Sequence, residues 1–413
     1  MDKRSVGELK DDPFSYGLNM KGKVVKMKNY KTELDNPNLE NPALEFEELR
    51  GKCPVSHTDG FGGGWNIIGH EDIVKTALDP GTFSNAGAIR YPHLPRFPFE
   101  ADPPLHTPYR KVMQEFFTEK KMKTFADKLR PIVIELLEPV INRGYGDIAK
   151  EVNYPLPVRG IMAFLNLPDQ DWPRIMHWAE ELYYRAAEGD LAARKAAAEE
   201  LEVYCRKAVA YRKENMLDPK DDLLSKMLHN SSESEGATVT ENLVVGTLHL
   251  LLTAGHESTT SSLGIIINYL ATHPEDRKRL QDNPDLIPNA IEEILRYESP
   301  VQFHPRTVTK DTVIQDQEIK AGEKVFLQWG AGNRDEEVFP NADQCILDRN
   351  TKKSLVFGSG IHKCIGAPIA RTQLRVVIEE LLNRTDSFRL NGEIHRIGFT
   401  RYGVSSLPIL IEK

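Results

Sequence analysis

The stretch FGSGIHKCIGAPIAR, Phe357–Arg371, sets a single cysteine, Cys364, in a glycine-rich loop directly before a helical pattern that begins after Pro368. Glycines at 358, 360 and 366 are expected to allow backbone angles and close approaches that a Cβ would forbid, so the loop should wrap tightly against something. A lone cysteine is most often a small buried hydrophobe, and Cys53, Cys205 and Cys345 read that way. Cys364 does not. Its neighbours are glycines, His362 and Lys363 rather than the apolar residues of a core.

Around this loop lies a chain of 413 residues with a net charge of −8 and a pI near 5.9. The length allows a sizeable core, and no repeat or clear linker divides it, so one domain over 1–413 is expected. An acidic balance argues against nucleic acid or an anionic membrane as the main partner. The first residues, MDKRSVGELKDD, hold no apolar h-region. The most apolar run, Leu243–Gly255, is broken by His249 and is too short to span a bilayer. A soluble, cytoplasmic protein of enzyme size is the expectation. The four cysteines form neither a C-x-x-C pair nor a zinc spacing, and structural disulfides are not expected.

The pattern predicts a mainly α chain with small β sheets. Residues 60–68, GFGGGWNII, lead into an apolar run rather than a helix N-terminus, which favours a hairpin turn over a phosphate-cradling loop. From Thr107 to Asn142 and from Asp169 to Asn215, apolar residues recur at three- and four-residue steps, as amphipathic helices require. HNSSESEGAT, 229–238, is polar and unpatterned and reads as an exposed loop. After it, Thr240 caps the strongest helix, which Pro274 stops. Its roughly 32 residues would reach about 48 Å and cross a whole domain. The middle of that helix, Ala254-Gly255-His256-Glu257-Ser258-Thr259, places an acid and hydroxyls in an apolar run. Buried without partners they would cost several kcal/mol, so they should line a cavity or bond each other.

Next, PNAIEEILRYESP, Pro288–Pro300, reads as a short helix on which Glu293 and Arg296 share one face. TVIQDQEIKAGEKVFLQWGAGNRDEEVFP alternates as short strands with an Ala-Gly turn.

Together these pieces resemble the cytochrome P450 family of haem-thiolate monooxygenases, over nearly the whole chain. FGSGIHKCIG matches the family's F-x-x-G-x-[HR]-x-C-x-G loop at each fixed position. Before it, in order, come the helix motif AGHES, the E-x-x-R at EILR, and an R-D-x-x-x-F-P stretch at Arg334–Pro340. The resemblance implies haem b between the long central helix and the helix after the cysteine loop, with Cys364 as the iron ligand. A thiolate ligand donates electron density that favours O–O cleavage. Amides of the loop and the following helix N-terminus can stabilise the sulfur. Gly358 and Gly366 let those amides come close, and Phe357 would shield the sulfur.

By the same resemblance His106, Arg110, Arg306 and His362 would hold the haem propionates, and Glu293 and Arg296 would hold 334–349 behind the haem. On the central helix, Ala254 and Gly255 would leave room for dioxygen and Glu257 would relay protons. Ser258 stands where the family most often has threonine. It lies one turn from Ala254, so its Oγ can bond the Ala254 carbonyl, whereas Thr259 is rotated by about 100°. Both hydroxyls therefore remain candidates.

No G-x-G-x-x-G follows a strand, and about fifty residues follow Cys364, so no electron-transfer domain is expected in the sequence. A separate ferredoxin or flavodoxin with its NAD(P)H-dependent reductase is implied. Lys111, Lys120, Lys121, Lys123, Lys352, Lys353, Lys363 and Arg371 would steer it as a basic face. A monomer is expected, acting on a small or medium apolar organic molecule by hydroxylation, epoxidation or dealkylation. Arg90, Tyr91, His93, His304 and Arg401 are polar enough to hold a substrate handle. The alternative is a peroxide-driven or non-oxidative haem-thiolate enzyme, which the presence of Glu257 and Ser258 disfavours.

Overall fold

The computed structural model describes residues 50, 53–59, 62–86, 94–182, 191–229, 239–397 and 402–412. Arg90, Tyr91, His93, Arg401 and nearly all of the polar loop 229–238 lie outside them. Helices α1 (His70–Leu78), α2 (His106–Gln114), α3 (Glu119–Arg143), α4 (Pro155–Phe164), α5 (Glu241–Thr272), α6 (Ile287–Glu298) and α7 (Ala367–Arg384) carry or support the site. Further helices include Trp172–Glu180 and Leu191–Glu214.

Helix α5 forms where the sequence places it. The Thr240 side chain accepts a hydrogen bond from the Leu243 amide at 3.2 Å, satisfying one of the free N–H groups of the first turn. At the other end His273 leaves helical geometry and Pro274 opens the next helix. From Leu243 to Ala271 this helix is buried except at Leu250, Ala254, Gly255 and Ser258. It packs against α4, α6 and α7, while α3 packs along α7. Removing such apolar faces from water stabilises the fold by about 25 cal/mol per Å².

The stretch 107–142 divides into α2 and α3. Thr118, with φ −81° and ψ 157°, is extended and breaks the helical run, while Phe116 and Phe117 turn into the core. The stretch 169–215 contains the helices Trp172–Glu180 and Leu191–Glu214.

The largest sheet joins β1 (Val55–Thr58), β2 (Gly64–Ile67), β3 (Phe83–Ser84), β4 (Phe303–Val308) and β5 (Lys324–Gln328) in the order β1-β2-β5-β4-β3. β1 and β2 pair antiparallel with Thr58 opposite Gly64, the hairpin expected from the glycine run. β2 and β5 are parallel, and β4 is antiparallel to both β5 and β3. This sheet has its own core of Val55, Ile67, Ile73, Val325, Leu327 and Trp329. Among the described residues, small strand pairs at Thr312–Ile314 with Gln317–Ile319, and at His395–Ile397 with Gly403–Ser406, complete the β structure together with a three-stranded sheet of Tyr145–Asp147, Pro408–Glu412 and Ser387–Leu390.

Candidate active site

The cysteine loop is closed by its own backbone. The Cys364 amide donates to the Phe357 carbonyl at 2.8 Å, and Gly358 and Gly360 take φ of 70° and 72°. That left-handed region is open to glycine at little cost. At Gly360 there is a second demand: a Cβ would stand 2.0 Å from the Ala77 carbonyl oxygen of α1. Gly366 is less constrained by the protein itself. Its φ is −78°, and a Cβ there would make only ordinary contact, 3.8 Å from Cys364 Sγ. Neither backbone angle nor crowding by protein atoms requires glycine at that position.

Cys364 is accessible, although protein surrounds it. Burial pushes its thiol pKa up, while the amides of Gly366 and Ala367 and the charges of Arg110 and Arg371 pull it down. These are the groups that would hold a thiolate at the start of α7.

Helix α5 offers a matching face. Leu250, Ala254 and Ser258 follow one another at four-residue steps and, with Gly255, are the accessible residues between Leu243 and Ala271. Ser258 Oγ donates to the Ala254 carbonyl at 3.2 Å, as its position predicts. Ser262 Oγ donates in turn to the Ser258 carbonyl at 2.7 Å. Thr259 and Glu257 are buried, and His256 and Thr260 point away to the Tyr154 and Asn153 carbonyls. Gly255 also borders α4. A Cβ there would lie 3.7 Å from Ile161 of α4, so the space it leaves is on that side.

The four expected propionate ligands come together from three elements. His106 and Arg110 lie on α2, Arg306 on β4 and His362 in the loop. The His106 and His362 rings meet edge-on at 4.8 Å, and Arg110 Nη2 donates to the Lys363 carbonyl at 2.6 Å. Neither ring nitrogen of His106 has a well-formed hydrogen bond. Arg306 is buried and donates to its neighbour's carbonyl, Pro305, at 2.8 Å. Burial lowers its pKa to about 10, an effect that the Asp102 charge opposes. The sequence reading missed Asp102. It faces His362 Nε2 at 3.6 Å and accepts hydrogen bonds from Ser84 and the Asn85 amide. Burial works against its ionisation, yet those bonds and His362 hold its pKa at about 2. Its signal was the acid at the head of ADPPLHTPYR.

Behind the loop, Glu293 and Arg296 are wholly buried and paired through two hydrogen bonds of 2.7 and 2.9 Å. Arg296 also donates to the carbonyls of Asn333, Ala342 and Gln344. Glu293 accepts from the Ile346 amide and from Arg349 Nε, each at 2.9 Å. Arg349 completes a buried triad that the sequence reading left out. Its place in CILDRN carries no spacing signal.

Of the expected basic face, Lys120, Lys123, Lys352, Lys353 and Lys363 are exposed. Lys111 is exposed as well. Lys121 is engaged by Asp221, and Arg371 is paired with Glu292. Of the candidate substrate contacts, His304 is half-buried, its Nδ1 accepting from Trp329 Nε1 at 3.0 Å.

A planar cofactor with two carboxylates and a metal that takes sulfur fits these residues. An accessible cysteine sits among amides and cations. A buried guanidinium and an imidazole with no well-formed hydrogen bond meet the loop at His362, and the central helix presents small residues. Fold and site define a haem-thiolate enzyme. The chain belongs to the cytochrome P450 family: the Cytochrome P450 family model matches residues 164–391. Cytochrome P450 130 of Mycobacterium tuberculosis is 32% identical, over 85% of this chain and 89% of that protein. The mycinamicin IV hydroxylase/epoxidase of Micromonospora griseorubida is 32% identical, over 84% and 89%. The crystal structure of CYP109E1 from Bacillus megaterium in complex with testosterone superposes with a TM-score of 0.81 at 30% identity, covering 90% of this chain and 97% of that one. The protein is a cytochrome P450 monooxygenase with haem b as cofactor. Among the described residues no helix is long and apolar enough to cross a membrane.

Cys364 would ligate the iron, and His106, Arg110, Arg306 and His362 would hold the propionates. Bound there, haem supplies dioxygen activation, with a thiolate favouring O–O cleavage. The expected result of Arg306→Ala is weaker haem retention, because a buried carboxylate would lose its charge partner. Arg110→Ala should act in the same direction, less strongly because Arg110 is more exposed. Haem transfer to apomyoglobin measures both, and parent-like rates would show that the anchors lie elsewhere.

Proposed function

We propose that the enzyme inserts one atom of O2 into a small or medium apolar organic substrate, the second leaving as water. The two electrons come from a ferredoxin or flavodoxin reduced by an NAD(P)H-dependent reductase. The observation that carries this reading is the acid–alcohol pair on α5: Ser258 on the accessible face, with its Oγ anchored to Ala254, and buried Glu257 beside it. A hydroxyl so held accepts from a water through its free lone pairs and can donate to dioxygen only by turning off the Ala254 carbonyl, and a neighbouring carboxylate can pass protons inward. A peroxide-driven enzyme has no such need.

Apolar substrates are supported by the accessible Leu250 and Ala254, and by relatives named as a hydroxylase/epoxidase or crystallised with testosterone. The exposed lysines around the loop supply the charge that would steer an acidic electron donor.

The test is a screen of apolar ligands for the ferric spin-state change, followed by turnover with a ferredoxin system. Oxygen uptake, hydrogen peroxide release and product are measured together. Ser258→Ala is expected to keep oxygen and electron consumption within about twofold while diverting most of it to hydrogen peroxide. Glu257→Gln should slow turnover by about tenfold or more. If Ser258→Ala stays coupled and Thr259→Ala uncouples, the hydroxyl role belongs to Thr259. Turnover with hydrogen peroxide alone, at rates that electrons do not raise, would replace this reading with the peroxide-driven one.

A further inference from the structure

Arg371 was expected on the surface that meets an electron donor, but its guanidinium is committed elsewhere. It sits on α7, two turns past Cys364, with Cζ 4.3 Å from the centre of the Phe357 ring. Glu292 of α6 grips it along one edge through two parallel bonds, Nε to Oε1 at 2.6 Å and Nη2 to Oε2 at 2.9 Å. Such a fork-to-fork pair fixes the plane of the guanidinium as well as its position. Glu292 is itself held, since the next residue, Glu293, anchors the buried triad. The stacked ring belongs to the residue whose carbonyl receives the Cys364 amide. A full positive charge is therefore clamped over the aromatic residue that closes the cysteine loop.

Resting on the haem-thiolate reading of the site, we infer that Arg371, locked by Glu292 over Phe357, is a positioning residue whose charge sets the electron affinity of the thiolate-ligated iron. A nearby cation stabilises the reduced centre, which carries one more electron than the oxidised one. The Glu292 carboxylate offsets part of that field while fixing its source. The Arg371 side chain is 42% exposed, so solvent screens the effect and a modest size is expected.

The experiment is a spectroelectrochemical titration of the haem-loaded parent and of Arg371→Gln, Arg371→Lys and Glu292→Gln. Each is first checked for the red-shifted carbon monoxide band of thiolate ligation. Arg371→Gln should shift the ferric-to-ferrous equilibrium at fixed potential towards ferric by about threefold or more. Glu292→Gln should shift it towards ferrous, because it removes the opposing charge and leaves the cation. Arg371→Lys should stay nearer the parent than Arg371→Gln does. Opposite signs for the two neutral substitutions are what a purely structural pair would not give. Shifts below twofold in both, or in the same direction, overturn the inference. So does loss of the thiolate band in all three variants, which would make Arg371 a support of the loop alone. A parent without that band would overturn the cofactor reading instead.

Discussion

Replacing Cys364 with alanine removes the red-shifted Soret band of the reduced, carbon monoxide-treated protein completely, while the chain stays folded. Both halves of this expectation come from the loop. Its shape depends on the amide of residue 364 meeting the Phe357 carbonyl, on left-handed Gly358 and Gly360, and on the contact of Gly360 with Ala77. None of these uses the sulfur, so alanine fits. The ligand itself has no substitute, since Cys53, Cys205 and Cys345 belong to other parts of the fold. Difference spectra of parent and variant, with haem content and circular dichroism alongside, make the check. A variant that keeps the band would remove Cys364 from the iron.

The second large effect is expected at Glu293. Its carboxylate accepts from Arg296, Arg349 and the Ile346 amide at zero exposure. Glu293→Ala leaves two guanidiniums without their shared anion in the interior. Breaking a buried pair in this way costs about 3–5 kcal/mol, a large fraction of what a folded domain typically has. Little soluble holoenzyme should be recovered. The more conservative Glu293→Gln should fold but unfold at clearly lower urea concentration. If Glu293→Ala matched the parent in urea, the triad would have no part in holding the fold.

Much of this is legible in the sequence alone. The central helix announces itself through a long apolar run between Thr240 and Pro274, and local physics decides both ends. The cysteine loop was legible because glycines at 358 and 360 answer to backbone geometry, which sequence encodes directly. What Gly366 and Gly255 face is not legible in the sequence, for one reason. A missing Cβ says that something is near or open, but not on which side. Asp102 and Arg349 were missed because their roles arise from chain segments far apart in sequence. Asp102 meets His362, 260 residues on, and Arg349 meets Glu293, 56 residues before it. Isolated charged residues in loops carry no mark that distinguishes such partners from solvent.

The grip of the buried triad falls on main chain rather than side chain. Between them Arg296 and Arg349 take the carbonyls of Asn333, Pro340, Asn341, Ala342 and Gln344. Every residue type has a carbonyl, so this grip itself makes no demand on the side chains it passes, although Phe339, Ala342 and Leu347 are buried for packing. Asn341, Asp343, Gln344, Ile346 and Asn350 are exposed, as is Asp348, which pairs with Arg279. The exposed positions without such a partner are thus places where sequence can drift under neutral mutation without the backbone moving. For the same reason the segment can carry a fluorophore or spin label, for instance at Asp343, as a rigid reporter.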